Sequence, residues 1–172
     1  YGKKAAFFCT NDAQTEPLLK QVAKYGAIFV EPDLPSPLMG YPGAFAIDLK
    51  GKAGDWPAIM KTVEKAVIAA GGKGRMGTWS YSYGWSTTCA LTEYGKRIVE
   101  KKAKLYNMKD LWAAYEKFTP GAKWNGAPYT DINTGVKMKK FVLVYQDTFI
   151  FGKGYLNTTS VKVPAKFLKI KK

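Results

Sequence analysis

Residues 71–100, GGKGRMGTWSYSYGWSTTCALTEYGKRIVE, decide how the rest of the chain is read. Gly71 and Gly72 end a preceding helix, because glycine takes the left-handed conformation that closes a helix without a Cβ penalty. Lys73 to Trp79 then read as a strand of small and apolar residues, interrupted by Gly74 and Gly77, where something can approach the backbone closely. Ser86 is placed to cap a long amphipathic helix. Between strand and helix, Trp79, Tyr81, Tyr83 and Trp85 alternate with Ser80, Ser82 and Gly84, which are too small and polar for the inside of a core strand. That aromatic loop is the candidate binding surface.

Upstream, residues 3–10, KKAAFFCT, form an apolar run of strand length, followed by Asn11 and Asp12, a pair suited to a strand-to-helix turn. Thr15, Glu16 and Pro17 open a helix with Leu18, Leu19 and Val22 on its apolar face, and Gly26 stops it. Ala27 to Val30 is a second short strand. The connection is long enough for a right-handed crossover between parallel strands. Residues 31–43, EPDLPSPLMGYPG, hold four prolines and two glycines, which exclude regular structure for most of their length. Ala44 to Leu49 returns to strand character. Asp55 then caps a helix with Pro57 in its first turn, whose Ile59, Val63, Val67 and Ala70 recur at helical spacing.

Downstream, the helix from Ser86 carries Leu91, Tyr94, Ile98 and Leu105 on one side, a core-facing stripe. Asn107 or Asp110 starts another helix through Leu111, Trp112 and Tyr115, ended by Pro120 and Gly121. Residues 119–140 read as loop. Phe141 to Tyr145 and Thr148 to Phe151 read as two late strands split by Gln146 and Asp147, either a hairpin or one strand with a break, and the lysine-rich tail reads as irregular. Strands alternating with helices predict an α/β fold, an open, mainly parallel sheet with helices on both faces. Its organisation is a parallel α/β lobe over residues 1–85, with a helical return segment and late strands over 86–172.

The 172 residues, 47% hydrophobic, are enough for one sizeable core. No apolar run approaches the roughly 18 residues of a membrane span, and the chain starts at Tyr1, so either a leader has been removed or this is a piece of a longer chain. Charge is unevenly spread. Residues 1–95 carry ten basic and eight acidic side chains, and residues 96–172 carry seventeen and five, out of a net +14. Arg75 and Arg97 are the only arginines, whereas sites that read phosphate or base edges lean on the guanidinium fork. Nucleic acid is therefore not the partner expected, although an anionic surface or acidic partner is compatible with the lysines.

The chain has no histidine, which removes the commonest general base and the commonest metal ligand, so neither a metal nor a cofactor is expected. GGKGRMG lacks the spacing and the terminal Lys-Ser/Thr of a phosphate-binding loop. Ser86, Thr87 and Thr88 have no histidine to activate them. Asp12, Glu31 and Asp33 could act as paired acids, but nothing in the sequence fixes their separation. No catalytic residue is assigned, and the chain is read as a binding protein rather than an enzyme. Cys9 and Cys89 are the only thiols, either paired in an oxidising compartment or separately buried.

In open parallel sheets ligands bind beyond the carboxyl ends of the strands. That rule selects the loops Thr10 to Glu16, Glu31 to Gly43 and Gly77 to Trp85. The candidate ligand-binding residues are Asn11, Asp12 and Ser36 for hydrogen bonding, with Tyr41, Trp79, Tyr81, Tyr83 and Trp85 for stacking on a flat or sugar-like face. A small polar molecule with an apolar face suits this set.

The blocks KKAAFFCTNDAQTEPLLKQVAKYGAIFV, EPDLPSPLMGYPGAFAIDL and GGKGRMGTWSYSYGWSTTCALTEYGKRIVE resemble an uncharacterised family of secreted bacterial lipoproteins similar to type I periplasmic solute-binding proteins. The resemblance is most specific in the last two blocks and weakens after Tyr106. It implies a periplasmic-binding-protein-like architecture, here one lobe plus part of the other, a cleft between lobes, and service to a membrane transporter or sensor. It also implies a secreted, periplasmic or cell-surface location. Such proteins are about twice this size, so the resemblance implies a missing N-terminal half, with GRMGTW near the hinge return and exposed apolar surface covered by that half or by another chain. The different reading is a structural or assembly subunit that self-associates through its aromatic loops and lysine-rich half.

Overall fold

A computed structural model describes residues 2–131 and 133–158. The tail expected to be irregular, and the lysines it contributes to the charge, lie outside the described residues. Among the described residues, five α-helices run in chain order as α1 (Thr15–Tyr25), α2 (Tyr41–Ala44), α3 (Trp56–Ala69), α4 (Tyr83–Val99) and α5 (Met108–Phe118). The strands are β1 (Gly77–Thr78), β2 (Trp124–Thr130), β3 (Lys137–Gln146), β4 (Phe149–Ile150) and β5 (Gly154–Tyr155).

The expected open, mainly parallel sheet does not form. The described residues instead hold two small antiparallel sheets, one ordered β1-β4-β5 and the other a β2-β3 hairpin. Among the described residues, parallel pairing is confined to two single bridges, Ala6 with Ile28 and Phe29 with Met76. The apolar runs that read as strands are cut short by their own flanks. A turn of 3-10 helix takes Gly2–Lys4, Pro32 removes a donor just beyond Val30, and Gly74 sits at φ 69 inside the third segment. Ala44 to Leu49 pairs with nothing regular: α2 runs into it and Ala46 lies at φ 51, so Phe45, Ile47 and Leu49 pack on the core as irregular chain.

Helix boundaries follow local chemistry closely. Gly26 ends α1 in the left-handed conformation at φ 63, and the Asp55 carboxylate accepts from Ala58 N to cap α3. The Asn107 side chain caps α5 by accepting from Lys109 and Asp110. Along α3, Ile59, Val63 and Val67 are buried, each worth roughly 1.5–3 kcal/mol, whereas Ala70 falls beyond the helix end. The long helix begins three residues before its expected cap, with Ser82 at the N-cap position. Ser86 lies inside the first turn, its hydroxyl donating back to Ser82 O at 2.8 Å.

Two core clusters result. The larger joins α1, α3 and the strand segments around Leu19, Phe29, Tyr41, Val63, Met76 and Phe151. The smaller joins α4 to α5 through Ala90, Tyr94, Leu111, Ala114 and Tyr115, with Val142 and Val144 of β3 laid on top. Trp124 packs against both. Residues 119–140, read as loop, therefore contain β2 and the start of β3, and the two late strands are not partners: β3 pairs with β2, and β4 with β1 and β5. At Gly77 three backbone segments converge. A Cβ there would meet Phe149 O at 2.7 Å and Val30 O at 2.8 Å, so only glycine lets β1 sit between them.

Candidate ligand-binding site

The three loops selected by the sequence do come together. Tyr83 N donates to Pro35 O at 2.9 Å, tying the aromatic loop to the proline-rich one. Gly40 presses on Thr15, where a Cβ would approach the threonine methyl to 2.7 Å. Tyr41, fully buried, donates its hydroxyl to Gly77 O at 2.5 Å. This convergence is closely packed rather than open. Asn11 caps the turn Asp12–Gln14 through Ala13 N, and Ser36 is buried with its Oγ accepting from Leu38 N. Asp12 keeps one buried carboxylate oxygen, Oδ1, without a hydrogen-bond partner.

Two pockets flank the aromatic loop, and three of its four rings divide between them. Trp79 and Tyr83 line a groove of about 440 Å³ bounded by α4, α5 and β3. Tyr81 lines a smaller pocket of about 160 Å³ that also involves Trp56, against which Trp85 packs at 6.0 Å between ring centroids. Asn11, Asp12, Ser36, Tyr41 and Trp85 line neither. The alternation visible in WSYSYGW thus places Trp79 and Tyr83 on one cavity and Tyr81 on the other, with Trp85 packed on Trp56 outside both, rather than making one wall.

The groove is built on a chain of rings. Trp79 meets Tyr83 at 6.0 Å and Trp124 at 5.6 Å, and Trp124 meets Tyr115 at 4.3 Å. Leu91, Leu105, Met108, Leu111 and Val142 complete an apolar lining, with Thr87, Asn107 and Lys140 as its polar members. Polar ends are already committed where burial demands it: Trp124 Nε1 donates to Thr119 Oγ1 at 2.8 Å, and Tyr94 donates to Lys104 O at 2.8 Å. Burial raises the Tyr115 phenol above its ordinary range, against a smaller lowering from the Thr87 hydroxyl, so it stays neutral. Such a site can enclose a flat apolar body and offers few partners to a strongly polar one.

Behind Trp79 lies Glu31. Its carboxylate accepts from the Thr148 hydroxyl at 2.7 Å, and burial raises its pKa against the lowering by hydrogen bonds from Thr148 and the Trp79 side chain. Glu31 therefore holds the loop base rather than facing the groove. Cys9 and Cys89 are both free thiols, with Cys9 buried 3.2 Å from the Thr15 hydroxyl.

Sequence reading missed Tyr94, Tyr106, Tyr115, Trp124 and Phe141, five of the seven aromatic residues that line the groove. They sit on elements read as core helix, loop or late strand, and the signal that could have found them was the run Phe141 to Tyr145, whose strand needed a partner.

A model described as "Protein of unknown function (DUF3798)" matches residues 1–77, and a second, described only as a family, matches residues 88–170. An "Uncharacterized protein" of Treponema pallidum (strain Nichols) is 32% identical over 78 residues, 45% of this chain and 88% of that protein. The chain belongs to this protein's family. A second such protein from the same strain is 30% identical over 76 residues, 44% of this chain and 33% of that one. Among solved structures, a Clostridium difficile 630 protein named "Putative transcriptional regulator" superposes with a TM-score of 0.73 at 19% identity, over 88% of this chain and 42% of that one. At that identity the likeness concerns fold alone. With the two antiparallel sheets, it replaces the periplasmic-binding-protein-like sheet expected from the sequence. This chain thus spans well under half of the solved chain and a third of the second relative. No helix among the described residues is long and apolar enough to cross a membrane.

Proposed function

We propose that this chain is a ligand-capture module that takes a small molecule with a flat apolar face into the groove between the aromatic loop, α4, α5 and the β2-β3 hairpin. The observation that carries this is the Trp79, Tyr83 side of the loop, which lines a cavity of about 440 Å³ together with Tyr115 and Trp124. Tyr83 is 43% exposed, so its ring is accessible to a ligand in the groove. The ligand is more apolar than the hydrogen-bonding residues of the sequence reading suggest, because Asn11, Asp12 and Ser36 do not line the groove. Capture without chemical change, delivered to a membrane transporter or sensor outside the cytoplasm, is the role that the lipoprotein resemblance implies.

Native mass spectrometry of the purified chain tests this. A small molecule retained by the parent and lost from Tyr83→Ala supports capture in the groove. Retention equal in both contradicts it.

An assembly role has one specific observation in its favour. The outer face of the hairpin exposes Phe141, Leu143 and Tyr145, an apolar strip of the kind that pairs with another copy. Sedimentation that gives a concentration-dependent dimer abolished by Tyr145→Lys, a position outside the groove lining, would favour that reading over capture.

A further inference from the structure

The smaller pocket is a distinct place with its own chemistry. Four of its walls are aromatic, Trp56, Tyr81, Phe149 and Tyr155, with Met60 and Gly121 beside them. The rings are set at steep angles: Trp56 to Tyr81 at 52°, Phe149 to Tyr155 at 89°. Both phenols are already occupied within the protein. Tyr81 donates to Pro120 O at 3.0 Å, and the Tyr155 hydroxyl lies 2.8 Å from Ser80 Oγ. What the phenols leave for a ligand is ring surface, and the Trp56 indole N–H, buried, has no hydrogen-bond partner.

The lining of the pocket carries no charged side chain. Glu116 is fixed at its rim, its Oε1 accepting from the lining residue Gly121 at 3.2 Å. Burial is the main cause that raises the Tyr81 and Tyr155 phenols, and the Glu116 charge adds to it for both. The ring of Tyr155 already attracts a cation: Lys123 Nζ stands 5.7 Å from its centroid, although Lys123 does not line the pocket and is held by Asn157. The volume, about 160 Å³, is that of about five liquid waters at ~30 Å³ each.

We propose that this pocket binds a small methylated ammonium group. The rings offer electron-rich surface, Glu116 supplies negative potential, and the committed hydroxyls leave few acceptors for N–H donors. That combination selects a quaternary ammonium, which carries no N–H, over a primary amine or a guanidinium. The remainder of such a ligand would extend through the open side of the pocket. This site shares no lining residue with the groove, so either can fail alone.

The test is titration of the full chain with tetramethylammonium chloride, followed at the Trp56 indole resonance, with neopentyl alcohol as a neutral analogue of similar shape. The expected result is a saturable shift, with the cation bound at least about tenfold more tightly than the alcohol. Tyr155→Leu should weaken the cation by about tenfold while Tyr83→Ala leaves it unchanged. Equal affinity for cation and alcohol, or an indole that tetramethylammonium does not move, overturns the proposal on the parent protein without recourse to any variant.

Discussion

The indoles of Trp79 and Trp124 meet edge to face, 5.6 Å apart between centroids and inclined at 82°. Trp79 ends the segment that leads into the aromatic loop, and Trp124 begins the hairpin, so this contact joins the two halves of the groove wall. Trp124 also stands 4.3 Å from Tyr115 and packs on both core clusters. Trp124→Leu should therefore lower stability by about 2–3 kcal/mol, read from urea unfolding, and should weaken any ligand of the groove at the same time. A variant as stable as the parent would mean that the two clusters do not depend on this ring.

Glu31 gives the protein a pH dependence of definite sign. Burial raises its folded pKa above the ordinary 4.5, so between the unfolded and folded values the native state holds a proton that the unfolded chain has released. This contribution is fully present below pH 4.5 and declines as pH rises through the folded value. Glu31→Gln should flatten that slope, so the urea midpoints of variant and parent should diverge as pH rises from about 4 to about 8. Parallel profiles would show that Glu31 ionises as freely folded as unfolded.

Glu93 acts in the opposite sense. Its carboxylate reaches Lys117 of α5 and Arg97 of its own helix, each at 2.8 Å, and their hydrogen bonds lower its pKa to about 2. Stability from this link is present above the unfolded value of 4.5 and is lost as pH falls toward about 2. Glu93→Gln should remove part of the acid sensitivity seen by circular dichroism in that window. An unchanged acid transition would assign it to other carboxylates.

Gly77 is the position least tolerant of a side chain in β1. A Cβ would lie 2.6 Å from Ile150 Cδ1 and inside contact distance of two carbonyl oxygens, so Gly77→Ala should cost about 3 kcal/mol and shift the thermal midpoint accordingly. A neutral substitution would mean that β4 and the Val30 segment can separate cheaply.

Local signals carried the reading of this chain furthest where they act locally. Gly26, Asp55 and Asn107 mark real helix ends because a cap is decided by a few neighbouring residues. Close packing at Gly77 was legible because an interrupted strand rarely tolerates glycine without a reason. The sheets were not legible. Apolar runs such as Ala5 to Thr10 and Ala27 to Val30 have strand composition, yet partner and length are settled by distant groups, and here they pair through single bridges. The hairpin was half hidden for a similar reason: Pro128 and Gly126 disguise β2, whose register is set by Val142 to Tyr145 across from it. At the site, the alternation Trp79, Tyr81, Tyr83, Trp85 was visible, but the division of its first three rings between two pockets depends on α5 and the hairpin, which arrive from later in the chain.

The most direct test of groove capture is a fluorescence titration with 1-anilinonaphthalene-8-sulfonate, a flat two-ring probe whose sulfonate suits Lys140. Tyr83→Ala should weaken saturable binding by about fivefold, roughly 1 kcal/mol, whereas Tyr129→Ala, on the outer hairpin face, should leave it unchanged. Binding that survives Tyr83→Ala intact, or that is lost with Tyr129→Ala instead, would contradict the account.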